Sequence, residues 1–350
     1  MIKIGITIGD INGIGPEVII KALSNTKLLE YFTPIVYGSY KVLSYHKNIV
    51  ANNNMVFHSI QHPGQAVEGK INLINCWEDN VAITLGRPTE EGGKYAMLAL
   101  EKAGKDIVEK QIDAVVTAPI NKHAMQLAKF PYPGHTEFFT YLDNNSKSLM
   151  LMQSEDLKIA LATNHLPLSQ VAAAISKELV IEKIMTLNKT MIEDFGFEKP
   201  LIGVLGMNPH ASDNGLMGNE EAMFITPAII ECKKQGIFAM GPYPADGFFG
   251  SSIWKKFDAI LAMYHDQGLI PFKALTFGHG TNVTSGLSFI RTSPDHGTGY
   301  DIAGKNEASA SSFLQALYTA LDMVRNRTEY FSSRENALVR KAKKSAGIHE

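Results

Sequence analysis

The chain has 350 residues, 45% of them hydrophobic and 19% charged, with a formal net charge of −2. That length and apolar fraction suit one large or two modest globular domains with full cores, and the near-neutral balance gives neither nucleic acid nor an anionic membrane a hold. No apolar run approaches the roughly 20 residues of a membrane span. The N-terminal MIKIGITIGD lacks a signal-peptide core. The two cysteines, Cys76 and Cys232, have no metal-binding spacing and fit a reducing compartment, so a soluble cytoplasmic protein is expected.

Ile2–Ile8 reads as a first strand. It runs into Gly9-Asp10-Ile11-Asn12-Gly13-Ile14-Gly15, and Pro16 opens a helix to Leu23 at the position where a missing N–H costs nothing. Strand, glycine turn and helix is the layout of a phosphate cradle. The spacing matches neither the dinucleotide fingerprint nor the P-loop, and a plain tight turn fits as well. A strand follows at 35–38, then an irregular or strand-rich stretch over 47–80 with a turn at Asn52-Asn53-Asn54. The stripe Ala96, Leu100, Ala103 and Ile107 predicts a helix from Thr89 to about Glu109. A strand over 112–116 ends in the loop 117–122. His135 and Thr136 precede an aromatic run at 138–141 that starts a helix; they suit an anion at its N-terminus, or simple capping by Thr136.

Three short apolar strands then share one pattern. Residues 158–163 lead to His165, 201–206 to His210 and 259–263 to His265, each histidine just past the strand and beside a proline or glycine. The carboxyl end of a sheet is where open α/β folds bind ligands. Three neutral imidazoles can hold Zn or another first-row divalent ion and leave positions open for substrate. The competing reading is three unrelated loop histidines. Pro271 is expected to bar any immediate return to regular structure after His265.

Between these strands, a core stripe from Val180 to Phe195 marks a long helix that Gly196 stops, and a second helix spans Glu220–Gln235. Asp213 is a candidate to orient a ligating imidazole. Asp246 lies in a rigid loop, Pro242–Gly247, as a free carboxylate or as an ordinary surface turn. Lys273 and Arg291 are the usual pair of cations for holding a phosphate; Asn282 ends a flexible polar loop, and the glycines of 293–305 allow close backbone approach. A helix over 309–324 closes the fold, and the basic tail beyond it reads as a solvated terminus. The alternation of strand and helix predicts a largely parallel, doubly wound sheet.

Taken together, the motifs resemble the 4-hydroxythreonine-4-phosphate dehydrogenases of vitamin B6 biosynthesis. The likeness runs from Ile6 to about Leu321 and rests on Asn12-Gly13-Ile14-Gly15-Pro16-Glu17, Gly134-His135-Thr136-Glu137, Thr163-Asn164-His165-Leu166-Pro167 and Asn208-Pro209-His210-Ala211. It continues through Pro244-Ala245-Asp246, Tyr264-His265-Asp266-Gln267-Gly268 with Lys273, Gly280-Thr281-Asn282 and Arg291-Thr292-Ser293-Pro294-Asp295-His296-Gly297-Thr298. The resemblance implies that His165, His210 and His265 bind a divalent metal (Zn, or Mg, Co or Mn). It implies further that His135, Thr136, Lys273, Asn282 and Arg291 bind substrate. The fold it implies is α/β and similar to isocitrate and isopropylmalate dehydrogenases: two α/β/α lobes around a central cleft, and a homodimer that shares its active sites. Residues 1–130 with 285–350 are expected to form one lobe, and 131–284 the second, which carries the metal histidines. Pro294, Asp295, His296, Gly297 and Asp301 are expected to contact NAD, or NADP.

The implied reaction is NAD-dependent oxidation of 4-phosphooxy-L-threonine at C3, with decarboxylation to 3-amino-2-oxopropyl phosphate. Lys273 is a candidate proton acceptor or phosphate ligand, and Asp246 a candidate orienting carboxylate. The first glycine loop, Gly247-Phe248-Phe249-Gly250 and the basic tail depart from the family pattern, which leaves threonate or erythronate 4-phosphate as alternative substrates. Phosphate acyltransferases share the general fold, and a non-catalytic phosphometabolite sensor is the third class. In a dimer that shares its sites, the succession of strands suggests His265 as the ligand that crosses to the partner.

Overall fold

Twelve strands join in one sheet in the computed structural model, which describes residues 1–50, 54–144, 146–276 and 278–335. In chain order they are β1 (Lys3–Thr7), β2 (Thr33–Gly38), β3 (Phe57–Ile60), β4 (Ile71–Asn75), β5 (Ala114–Thr117), β6 (Leu149–Gln153), β7 (Lys158–Leu161), β8 (Leu201–Leu205), β9 (Phe238–Tyr243), β10 (Ala259–Ala262), β11 (Thr281–Ser285) and β12 (Ile290–Pro294). Across the sheet the order is β3-β4-β2-β1-β5-β12-β11-β6-β7-β10-β8-β9. One half is thus built from residues before 118 together with 290–294, and the other from 149–285. The fold is α/β, as expected. Most neighbours are parallel, but β11 runs antiparallel to both β12 and β6, and β6 antiparallel to β7. These reversals join the halves, and nothing in the local sequence announces them.

The parallel strands are short apolar runs because helices cover both faces. β8 and β10 read LIGVL and AILA and are almost wholly buried. The central pair differs: β11 reads TNVTS and β12 IRTSP, yet nearly every residue in them is buried. Polar side chains in mid-sheet are costly unless they find partners, so this pair draws attention to the centre.

Several local expectations change. A helix, Tyr40–Ile49, occupies part of the stretch read as irregular; it buries only Val42, Leu43 and His46, a stripe too thin to register as amphipathic. His135 and Thr136 are the first two residues of the helix His135–Leu142 rather than a loop before it. Asp246 stands in the first turn of a short helix, Ala245–Gly250. The helix expected over 220–235 starts as a π-helical turn, Glu221–Ile225, before Thr226–Lys234 continues as α. Pro271 does not prevent a helix: His265–Thr276 passes through it. Proline's fixed φ is helical, and only its missing N–H and a clash with the preceding turn oppose it. Leu269 and Phe272, buried on either side of it, hold that helix against the sheet. The turn expected at 52–54 lies mostly outside the described residues, as does the basic tail from 336 onward.

Candidate active site

Strand pairing places the histidines. β10 lies between β7 and β8, with Ile260 opposite Ile159 and Ala259 opposite Ile202. The loops leaving β7 and β10 therefore emerge side by side, and the rings of His165 and His265 stand 6.0 Å apart between centroids. Two imidazoles on one tetrahedral ion, with Zn–N bonds of about 2 Å, have ring centres on the order of 5 Å apart, so this pair fits as two ligands of a common metal. His265 Nδ1 lies 2.7 Å from an oxygen of Asp266, which fixes the ring and leaves Nε2 as the outward donor. Glu137 stands 3.9 Å from His165 Nδ1. At that distance it is an electrostatic contact rather than a hydrogen bond, and the proximity of His165 holds the Glu137 carboxyl below its usual range.

His210 is not in this group. It is exposed, five residues beyond β8, in a run of non-glycine residues with left-handed backbone: φ is 54° at His210, 50° at Ala211, 69° at Ser212, 43° at Asp213 and 54° at Asn214. Each costs about 1–2 kcal/mol relative to ordinary backbone. Among the described residues no three His, Cys, Asp or Glu side chains come together closely enough to hold an ion. Asp213 touches His210 through a backbone bond; the carboxylates beside candidate ligands are Asp266 and Glu137.

Next to the histidine pair is a cavity of about 170 Å3, whose lining includes His135, Thr136, Glu137, His165, Asn282, Arg291 and His296. Register explains its far wall. Asn282 faces Ser293 across the β11–β12 pair, so with a period of two Asn282, Thr284, Arg291 and Ser293 share one face. Arg291 is 2% exposed and donates to the hydroxyls of Thr284 (3.0 Å) and Thr117 (2.6 Å). Burial lowers its pKa to about 9, which still leaves it charged at neutral pH. Burial, and then the nearby Arg291 charge, push the His135 imidazole well below its ordinary value; its Nε2 is sealed from water although the residue keeps some accessible surface. Arg291 Nε, His135 Nε2, Asn282 Oδ1 and His296 Nε2 are all buried without a partner among the described residues.

Buried polar groups are normally satisfied. Four unsatisfied ones line this one cavity, and three of them are able to donate. The first turn of the helix His135–Leu142, whose free N–H groups carry a partial positive charge, lies against the same cavity. Lys122 also lines it, a cation whose loop the sequence showed without suggesting a role.

The cavity meets the loop expected to bind the cofactor. Pro294, His296 and Gly297 line it, whereas Asp295 accepts from the Ser312 hydroxyl and Asp301 is exposed outside it. This loop is fastened to the first glycine turn: Ile14 N–H donates to Thr298 O (2.9 Å), the Tyr300 hydroxyl to Asp10 (2.6 Å) and Gly304 N–H to Glu17 (2.6 Å). Gly13 is required there, since a Cβ would lie 2.7 Å from Thr298 O. Lys273 is exposed on the helix His265–Thr276, eight residues beyond His265, and does not line the cavity. Asp246 is likewise exposed, on a helix packed against the His210 segment. The candidates thus form two sets: a cleft of His135, Thr136, His165, His265, Asn282, Arg291, Pro294, His296 and Gly297, and outlying residues His210, Asp246 and Lys273. A larger cavity of about 590 Å3 opens beside β3, but none of its lining residues carries a buried unsatisfied side-chain atom.

Fold and cleft together define an α/β protein with a polar cavity against the antiparallel β11–β12 pair, beside two neighbouring imidazoles. The profile of the family described as pyridoxal phosphate biosynthetic protein PdxA matches residues 30–320, and the chain belongs to that family. A 4-hydroxythreonine-4-phosphate dehydrogenase of Bacteroides thetaiotaomicron is 48% identical over 96% of this chain and 93% of its own. The crystal structure of the Klebsiella pneumoniae enzyme of that name superposes with a TM-score of 0.81 at 34% identity, covering 92% of this chain and 98% of that one. A relative from Oceanobacillus iheyensis, 40% identical over 91% of this chain and 97% of its own, is named, provisionally, for D-threonate 4-phosphate. The chain is accordingly a dehydrogenase of vitamin B6 biosynthesis. No described helix is long and apolar enough to cross a membrane.

Proposed function

We propose that the chain oxidises the C3 hydroxyl of 4-phosphooxy-L-threonine with NAD, giving NADH, a proton and the 3-oxo acid, and that this acid then exchanges carbon dioxide for a proton to give 3-amino-2-oxopropyl phosphate. The observation that carries this reading is the buried, still-charged Arg291 beside the unsatisfied His135 and Asn282, next to the pair His165 and His265. Arg291, His135, Thr136 and the helix N-terminus behind them hold the phosphate, and Asn282 orients the chain of the substrate. His165 and His265 supply two ligands for a divalent ion, zinc by donor chemistry. Such an ion, when bound, acts as Lewis acid on the alcohol and then on the ketone. Asp266 keeps His265 in the tautomer that presents Nε2. The loop 294–301 faces the adenosine half of NAD.

The third ligand comes, in this reading, from a second copy. His210 stands apart from the pair, and further along the same stretch of chain Leu216 is 81% and Met223 60% exposed, apolar surface that a twofold interface would cover. The pairing of His165 with His265 in one chain favours His210 over His265 as the visitor. Asp246, packed beside the His210 segment, travels with it, and Lys273 acts as proton acceptor or phosphate ligand once the second copy closes the cleft.

The test is turnover by the purified full chain with NAD, supplied in turn with 4-phosphooxy-L-threonine, D-threonate 4-phosphate and D-erythronate 4-phosphate, reading reduced nicotinamide and carbon dioxide. Preference for the amino-bearing substrate is expected. Preference for threonate phosphate, favoured by the name of one relative, would overturn the substrate assignment and keep the reaction class.

A further inference from the structure

Gln267 belongs to neither cavity, yet its side-chain amide joins the turn of one candidate ligand to the loop of another. Its Oε1 accepts from Met263 N–H at 2.7 Å, two residues before His265. Its Nε2 donates to Gly206 O at 2.6 Å, four residues before His210. The link extends both ways. The Thr163 hydroxyl donates to Met263 O at 2.8 Å, tying in the loop of His165. Beyond Gly206, the buried Glu221 accepts from Met207 N–H and Asn208 N–H, both at 2.7 Å, and from the Asn208 amide at 2.9 Å. The left-handed run 210–214 starts immediately after, a conformation that non-glycine residues adopt singly rather than in series. A loop so strained keeps its shape only where its base is fixed, and the base is fixed here by Gln267 and Glu221.

We propose that Gln267 is a positioning residue that fixes the base of the His210 loop against the turn carrying His265, and so holds each of these ligands where the metal site it serves needs it. The inference rests on the metal reading above. Half of what Gln267 does is ordinary: a Gln in the third helical position reaching back to the backbone before the helix resembles a capping box. The bond to Gly206 O is not needed by the helix. It ties the loop after β8 to the turn after β10, beyond the strand pairing that ends at Val204 and Leu261. In the dimer proposed above, one chain's His265 and His210 serve different sites, so the amide also relates one site to the other.

Two variants separate the halves. Gln267→Glu keeps the acceptor toward Met263 and loses the donor toward Gly206; Gln267→Met loses both without adding charge. The probe is Co2+ added to the metal-free full chain, read by its visible ligand-field spectrum and by titration, alongside hydrogen exchange of residues 206–219. Both variants are expected to bind Co2+ at least tenfold more weakly, with an altered spectrum. Exchange across 206–219 should rise, and melting should stay within a few degrees of wild type. Wild-type affinity and spectrum in both variants, with wild-type binding intact, overturns this inference alone. Failure of the wild-type chain to take up Co2+ overturns the metal reading and this inference with it.

Discussion

Arg327, in the C-terminal helix, forks onto Asp194 at the end of the helix Lys177–Glu193, with Nε 2.6 Å from one carboxylate oxygen and a terminal nitrogen 3.0 Å from the other. The preceding residue, Asn326, donates to Asp194 O, and Arg327 also reaches Ser288 O. One arginine thus ties the last helix both to the end of the helix Lys177–Glu193 and to the turn between β11 and β12. Asp194 is 3% exposed at its side chain, and removing one partner of a buried pair strands the other.

Arg327→Ala is therefore expected to destabilise the chain toward the lower end of roughly 3–5 kcal/mol, since the arginine itself is partly accessible. Urea unfolding followed by fluorescence measures it. A change under about 0.5 kcal/mol, the scale of an exposed pair, would mean the fork holds nothing together.

A second prediction concerns acid. His46 is fully buried, with Nε2 2.9 Å from Ile11 O and Nδ1 without a hydrogen-bond partner among the described residues; burial lowers its pKa from 6.5 to about 4, against the raising effect of that hydrogen bond. Between those values the unfolded chain binds a proton that the folded chain refuses, so stability is full above pH 6.5 and falls as pH drops toward 4. The gap is worth about 3 kcal/mol, at ~1.4 kcal/mol per pH unit. His46→Gln should flatten the slope of stability against pH in that window. Other groups titrate there too, so the comparison is between slopes; parallel slopes in the two chains would refute the assignment.

Phosphate recognition gives the third. A charge-assisted hydrogen bond is worth about 1.5–3 kcal/mol, so Arg291→Ala should raise KM for the phosphorylated substrate by roughly one to two orders of magnitude and leave KM for NAD nearly unchanged. Lys122→Ala should act in the same direction but less, because Lys122 is exposed. An effect of Arg291→Ala on NAD alone would place the phosphate at the wrong end of the cleft.

How much of this site the sequence displayed depends on how local each cause is. β7, β8 and β10 were legible as short apolar runs because burial on both faces erases alternation, and each was followed by a histidine and a breaker. That β10 inserts between β7 and β8, which decides which histidines become neighbours, is a fact of long-range pairing with no local mark. Arg291 stood out at the end of an apolar run, but its convergence with Asn282 needs the antiparallel register of β11 and β12. The sequence assigns no role to Glu221 or Gln267, because most of their partners are backbone groups, which no side-chain spacing reveals. Pro271 reads locally as a breaker, but the burial of Leu269 and Phe272 on either side of it, a matter of tertiary packing, keeps the helix intact.

The last prediction concerns how sites are shared, and it follows from the 6.0 Å separation of His165 and His265 within one chain. Suppose each site takes that pair from one chain and His210 from its twofold partner. Chains carrying His210→Ala and chains carrying His265→Ala are each inactive alone. In a heterodimer of the two, one site combines an intact pair with an intact His210, while the other collects both defects. Random exchange makes half the dimers mixed, so roughly a quarter of the sites recover, by twofold counting. Mixing His165→Ala with His265→Ala chains is the control: the pair belongs to one chain, every site keeps one defect, and activity should stay at background. Recovery in the control together with none in the first mixture would show that His165 and His265 serve different sites. Background activity in both, with exchange verified by a mass tag, would show that all three histidines of a site come from a single chain.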